Sequence, residues 1–286
     1  MSKVSAIAAR IWIGLIYLFL LAPVIVVIIT SFGSQAYLAF PPHGFSLEWY
    51  RGVFHNQSFI SGFEISVEVG AAAALVATAV GVAAAVGLSR SARAARFANL
   101  YVGALLVPQV VLGLALLFIL APLHLAGHYL GLVIAHLAIT VPYVIRMVWT
   151  SLATTDRSCE DAARTLGAGP WTAFRRVTLP LIRGAVVAGL LLAFIVSFDD
   201  AVVSLFVADG SEQTLPLQIL SYIQGNDDPQ IAALSTLLLV LSVIFIVAVE
   251  RAGSRAWRSA PPAAADDTLQ PEPMAPLTAS QGGHAS

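Results

Sequence analysis

The stretch Asp156–Arg183, DRSCEDAARTLGAGPWTAFRRVTLPLIR, is the one long polar segment between apolar runs, and its punctuation spells a helix–turn–helix. Asp156 or Ser158 can cap a helix start. Glu160 and Asp161 follow in the first turn, where the helix macrodipole favours anions. Ala162, Ala163 and Leu166 fall on one face at helical spacing. Gly167 is free to take positive φ and end that helix. Pro170 opens a second short helix after Gly169, and Leu179-Pro180 is expected to break it, because the residue before proline avoids the α region. Arg175, Arg176 and Arg183 stand near the exit. Apolar segments of membrane length on both sides place this hairpin at the aqueous face of a membrane. Its small alanines let a partner surface approach closely; the plainer alternative is an amphipathic loop packed on the chain's own helix ends.

Composition agrees with a membrane setting. The 286 residues are 58% hydrophobic and only 11% charged, far from the balance of a soluble domain. A net charge of −1, without aromatics interleaved among the basic residues, argues against nucleic acid. The single cysteine, Cys159, excludes an internal disulfide.

Six apolar runs cover roughly 11–30, 65–88, 98–121, 130–149, 184–207 and 231–249, each near the ~20 residues that a spanning helix needs. The first has an apolar core longer than the ~7–15 residues of a signal peptide and no small-x-small cleavage site directly after it, so it is expected to be a retained span. Of 15 basic residues only Arg51 falls on one side of a six-span arrangement. The others cluster before the first run (Lys3, Arg10), after the second (Arg90, Arg93, Arg96), between the fourth and fifth, and after the last (Arg251, Arg255, Arg258). That bias predicts both termini and the Asp156–Arg183 segment in the cytoplasm. Residues 1–258 therefore form one transmembrane domain, and the Pro/Ala-rich 259–286 reads as a disordered tail. Pro108 and Pro142 fall inside the third and fourth runs, where they kink a helix or shape a cavity. Trp49, Tyr50 and Tyr129 read as interfacial aromatics.

Covalent chemistry has little to work with. Lys3 is the only lysine, which excludes a GxxxxGK[ST] phosphate loop, and neither GxSxG nor HExxH occurs. His124 and His128, four apart, sit beside a short loop and read as interfacial rather than as a metal site. His136, between Ala135 and Leu137, reads as a buried, hydrogen-bonded histidine rather than a catalytic base. Asp199 and Asp200 are different. They interrupt the fifth apolar run, where each carboxylate costs about 2.5–3.5 kcal/mol on insertion scales. Such acids face a polar cavity or a partner charge, or cap a helix break. Ser197, Asp200 and Ser204 recur at i, i+3 and i+7 as one polar stripe, with Asp199 turned ~100° away, so Asp200 is expected to face a cavity more directly.

Two sets of residues resemble a known family. Asp161-Ala162-Ala163, three residues, Gly167, nine residues, then Val177-x-Leu179-Pro180 resembles the EAA signature of ABC importer permeases, with Asp161 for the usual Glu and Val177 for Ile. Ser197-x-Asp199-Asp200, Val202-Val203-Ser204, Leu215-Pro216-Leu217, Pro229-x-Ile231-x-Ala233-Leu234 and Ser46-Leu47-x-Trp49-Tyr50 are similar to spermidine/putrescine importer permeases, in particular their second permease subunit. The likeness runs from about residue 10 to 250. It implies an all-α type I importer permease of six transmembrane helices in the bacterial inner membrane. It implies a partner permease, a cytoplasmic ATPase dimer that binds the ATP and Mg, and an extracytoplasmic binding protein, with no cofactor or catalysis on this chain. Glu160, Asp161, Ala162, Ala163, Gly167, Leu179 and Pro180 would then belong to the ATPase-coupling helix. Asp199, Asp200, Ser197, Ser204, Gln109 and Trp49 would line the substrate pathway. Gln109 is a departure, since the residue after that proline is often acidic in polyamine permeases; Glu64 and Glu68 could replace the charge. Permeases for opines, phosphonates or amino-acid-like solutes share the scaffold. A secondary transporter would show inverted repeats instead, and none is visible.

Overall fold

The computed structural model describes residues 3–91, 103–210 and 212–258, the side chains of 3–9, 245 and 248–258 excepted. Arg93, Arg96, the start of the third apolar run and the tail from Ser259 lie outside the described residues. Every regular element among those described is helical: α1 (Lys3–Thr30), α2 (Glu48–His55), α3 (Gln57–Arg90), α4 (Gln109–Leu120), α5 (Tyr129–Thr154), α6 (Ser158–Thr165), α7 (Pro170–Ala173), a π-helical turn (Phe174–Thr178), α8 (Leu179–Phe198), α9 (Val202–Val207), α10 (Leu215–Ile223) and α11 (Gln230–Arg258). Among the described residues, four stretches are long and apolar enough to cross a membrane: Arg10–Thr30, Gln57–Arg90, Tyr129–Thr154 and Pro170–Phe198. The third apolar run contains a shorter apolar helix, Gln109–Leu120, and the sixth lies within the 29-residue helix α11.

The centre is a bundle of α3, α5 and α8. In lipid the hydrophobic effect does not drive helix against helix, so close approach and dispersion must do it, which favours small residues at the contact. The buried face of α3 supplies them: Gly62, Ser66, Gly70, Ala73, Ala74, Ala77, Gly81 and Ala85. Gly81 shows how tight the fit is. A Cβ there would stand 2.6 Å from Val144 Cγ1 of α5. One apolar layer joins Ala74, Ala77 and Ala85 to Val144, Val148, Leu152, Ile182 and Ala193. A second layer adds α4 and α9, with Leu116, Leu120, Leu132, Ile139, Val203 and Val207 around Val69. A third holds α2, α10 and α11 against Phe59. By contrast, α1 exposes apolar side chains on every side, Phe19 by 80%, and packs mainly on α11. A helix apolar all round in a single chain faces lipid or another subunit.

Two prolines behave differently. Pro142 is buried inside the continuous helix α5, whereas Pro108 interrupts the third run and stands just before α4. Trp49 and Tyr50 stitch α2 to the end of α1: Trp49 Nε1 donates to Gly33 O at 2.9 Å, and Tyr50 Oη lies 2.7 Å from Ser31 Oγ. Tyr222 Oη donates to Asp228 Oδ2 at 2.7 Å, tying α10 to the start of α11. Desolvation, then the Asp228 carboxylate, push that hydroxyl's pKa up to about 12.

Candidate functional site: a polar hairpin and a broken apolar helix

The polar hairpin begins as its sequence dictates. Asp156 accepts hydrogen bonds from Ser158 N–H at 2.9 Å and Ser158 Oγ at 2.7 Å, which hold its carboxyl below the usual range. α6 ends at Gly167 with φ +90°, and Pro170 opens α7. The expected break at Leu179-Pro180 does not occur. Leu179 N–H bonds to Phe174 O, five residues back, and the helix runs on to Phe198. The π turn absorbs the proline's missing N–H and ring without interrupting the rod.

Internal contacts sort the hairpin's side chains. Glu160 is taken up within the chain: Arg90 Nη2 meets Oε1 at 2.6 Å and Thr178 Oγ1 donates to Oε2 at 2.6 Å. Arg157 Nη2 also donates to Ser89 O. Asp161 and Ala162 are exposed, Ala163 and Leu179 half-buried, and Gly167 and Pro180 exposed. Leu166 is 89% exposed and Trp171 69%, so the chain itself leaves two large apolar side chains uncovered on this hairpin. Leu166 lay on the helical face read from sequence; Trp171 carried no signal beyond its position after Pro170.

The fifth apolar run is broken where its aspartates fall. α8 ends at Phe198, and α9 starts at Val202. Asp200 is 5% exposed, and its Oδ2 accepts the N–H groups of Val203 (3.0 Å) and Ser204 (3.1 Å). These are the orphan donors at the start of α9, so the carboxylate works as an N-cap. Its Oδ1 is buried without a hydrogen-bond partner. Ser197, Asp200 and Ser204 do converge, on His136 of α5 rather than on an open cavity. His136 is fully buried; its Nδ1 lies 2.6 Å from Ser197 Oγ, its Nε2 3.1 Å from Ser204 Oγ and 4.0 Å from Asp200 Oδ2. Ser204 Oγ donates to Asp200 O at 3.1 Å, which leaves its lone pairs for an Nε2–H donor and assigns Nδ1 as acceptor from Ser197.

Asp199 goes the other way. It is exposed and lines a groove of about 450 Å³ between α3, α8 and α11, with Phe63, Phe194 and Phe198 as aromatic walls and Leu238 and Leu241 opposite. Phe63 and Phe198 meet edge to face at 5.9 Å, and Phe194 stacks on Phe198 at 5.8 Å. The order expected for the two aspartates is therefore reversed: the residue after the helix end looks outward, and the next one folds back to cap. Gln109 is exposed at the first position of α4, Glu64 and Glu68 are exposed on α3, and Trp49 is held by the Gly33 carbonyl; none of the four lines the Asp199 groove.

Residues 77–256 match the family described as binding-protein-dependent transport system inner membrane component. The chain is 34% identical to the spermidine/putrescine transport system permease protein PotC of Escherichia coli (strain K12) over 236 residues, 82% of this chain and 89% of that one. It is 35% identical to the putrescine transport system permease protein PotI of the same organism, covering 78% of this chain and 82% of that one. The molybdenum transport system permease protein ModB of Mycobacterium bovis is 36% identical over 65% of this chain and 76% of its own length. In fold, the chain resembles a crystal structure of a bacterial ABC transporter involved in the import of the acidic polysaccharide alginate, with TM-score 0.68 at 18% identity, covering 89% of this chain and 98% of that one.

Proposed function

Since the chain belongs to the family of binding-protein-dependent transport system inner membrane components, we propose that it is one of two permease subunits of an ATP-driven importer that takes up polyamines through six spans, with both ends in the cytoplasm. The observation that carries the cargo reading is Asp199, a carboxylate open to a groove walled by Phe63, Phe194 and Phe198. An ammonium leaving water needs a counter-charge, because an unpaired buried charge is strongly unfavourable. Aromatic faces attract cations, and a methylene chain gains by apolar contact. A polyamine combines these three properties, and the names of the relatives PotC and PotI agree with it.

The polar hairpin is the coupling end. Asp161, Ala162, Ala163 and Gly167 would meet a cytoplasmic ATPase dimer, with the exposed Leu166 and Trp171 as apolar anchors. Leu179 and Pro180 would carry its motion into α8. ATP and Mg belong to that partner. An external binding protein delivers the cargo, and a second permease completes the pathway. The cargo reading is tested with the assembled importer in lipid vesicles, its binding protein outside and ATP inside. Accumulation of spermidine or putrescine is expected only with ATP; a complex that hydrolyses ATP and accumulates neither would overturn it.

A further inference from the structure

We propose that His136 is the positioning residue of the acidic turn: by bridging Ser197 and Ser204 across the break between α8 and α9, it fixes the direction in which Asp199 meets the cargo groove. The imidazole belongs to α5, which is continuous from Tyr129 to Thr154, so it is anchored outside the element it holds. Thr140 Oγ1 donates to His136 O at 2.8 Å and Ala135 and Leu132 beside it are fully buried, which leaves the ring little freedom. One ring nitrogen reaches the last turn of α8, and the other reaches the first turn of α9. Between those two contacts lie Phe198, Asp199, Asp200 and the three residues after them. Without the bridge, that connection would keep local bonds alone: the Asp200 cap on α9, and the N–H groups of Asp199 and Asp200 on the carbonyls of Ile195 (3.0 Å) and Ser197 (3.4 Å), none of which ties it to another helix.

The chemistry suits the task. A neutral imidazole with one donor and one acceptor matches two hydroxyls, and no aliphatic residue of the same volume can do this. Hydrogen bonds in a low-dielectric interior are strong and directional, and losing the imidazole would leave the Ser197 and Ser204 hydroxyls without the partner they share. The inference rests on reading Asp199 as the carboxylate that the cargo meets, so its test has an arm that needs no cargo.

That arm uses the assembled importer with Cys159→Ser and Asp199→Cys, and measures the rate at which a small methanethiosulfonate reagent labels position 199. His136→Leu is expected to change the rate at least about twofold, the smallest effect typical of residues sharing one network. His136→Gln, whose amide reaches as far as Nε2 and keeps the Ser204 contact alone, is expected to return part of the wild-type rate. Ser197→Ala and Ser204→Ala, which remove one arm each and leave the packing, should give intermediate rates. Equal labelling in all variants overturns the proposal. A second arm measures uptake: His136→Leu raises KM for cargo more than it lowers the maximal rate, and in an Asp199→Asn background it adds nothing. Effects that multiply instead would make His136 a general packing residue and overturn its positioning role. If no polyamine is taken up by the unaltered complex, the cargo reading fails, and the labelling arm still decides the role of His136.

Discussion

Arg90 Nη2 lies 2.6 Å from Glu160 Oε1, tying the last turn of α3 to the first turn of α6 across 70 residues of sequence. The pair is 38% and 16% exposed in its side chains, so its net stabilisation is only about 0–1 kcal/mol. Its consequence is mechanical, because Glu160 also accepts from Thr178 of the π turn. One carboxylate joins three elements. Arg90→Glu is expected to leave the melting temperature of the complex nearly unchanged while lowering cargo moved per ATP hydrolysed. The exchange Arg90→Glu with Glu160→Arg should recover part of that ratio. Parallel phosphate-release and uptake measurements check it, and an unchanged ratio in Arg90→Glu would remove the tie from the mechanism.

Gly167 has φ +90°, and a Cβ added there would meet nothing within 4 Å. The cost of Gly167→Val is therefore conformational, about 1–3 kcal/mol confined to the turn. The variant should insert and assemble with its partner permease. Uptake should fall sharply, with weaker co-purification of the ATPase or hydrolysis that no longer moves cargo. Normal uptake would argue that the hairpin does not couple.

Asp199 and Asp200 should respond differently to the same change. Asn caps a helix about as well as Asp, so Asp200→Asn should assemble normally, whereas Asp200→Ala should cost about 1 kcal/mol through loss of the α9 cap. Asp199→Asn leaves the fold alone and deletes the charge facing the groove. A hydrogen bond to a charged group is worth about 1.5–3 kcal/mol, which is roughly a tenfold to hundredfold loss in uptake efficiency. Uptake by amounts of complex matched on a blot measures both. A larger loss in Asp200→Asn than in Asp199→Asn would bring the buried acid into the pathway.

Cysteines placed at Asp209 and at Ser254 in a Cys159→Ser background test the six-span arrangement. Asp209 should be labelled in intact cells by an impermeant thiol reagent, and Ser254 only after the cells are opened. Labelling from the same side would overturn the span count.

Local chemistry was legible in the sequence, and tertiary chemistry was not. Gly167 and Pro170 ended and opened helices as their backbone preferences require. The apolar runs surfaced as helices, four of which, among the described residues, are long and apolar enough to span a membrane. Leu179-Pro180 misled because a proline breaks a helix only when nothing reroutes its hydrogen bonds, and the π turn before it does so. The break after Phe198 left a faint signal, since an aspartate three residues before Val203 is an N-cap pattern, but an apolar run on both sides disguised it. The stripe of Ser197, Asp200 and Ser204 was visible by its spacing. Its partner was not, because His136 lies 61 and 68 residues away from the serines it meets. Glu160 and Asp161 are neighbours of like charge, and the contacts with Arg90 and Thr178 separate the internal tie from the exposed acid.

The π turn at Phe174–Thr178 has a bearing on how this chain tolerates change in length. A π turn holds one residue more than an α turn of nearly the same rotation, so it takes up that residue without turning the helix beyond it. Removing one residue between Phe174 and Thr178 would restore plain α-helix and leave α8 close to its present phase relative to the hairpin. Ser197 would still face His136, and Asp199 its aromatic groove. A single deletion further along α8, where no π turn can absorb it, would instead rotate the residues beyond it by about 100° and point Ser197 away from His136.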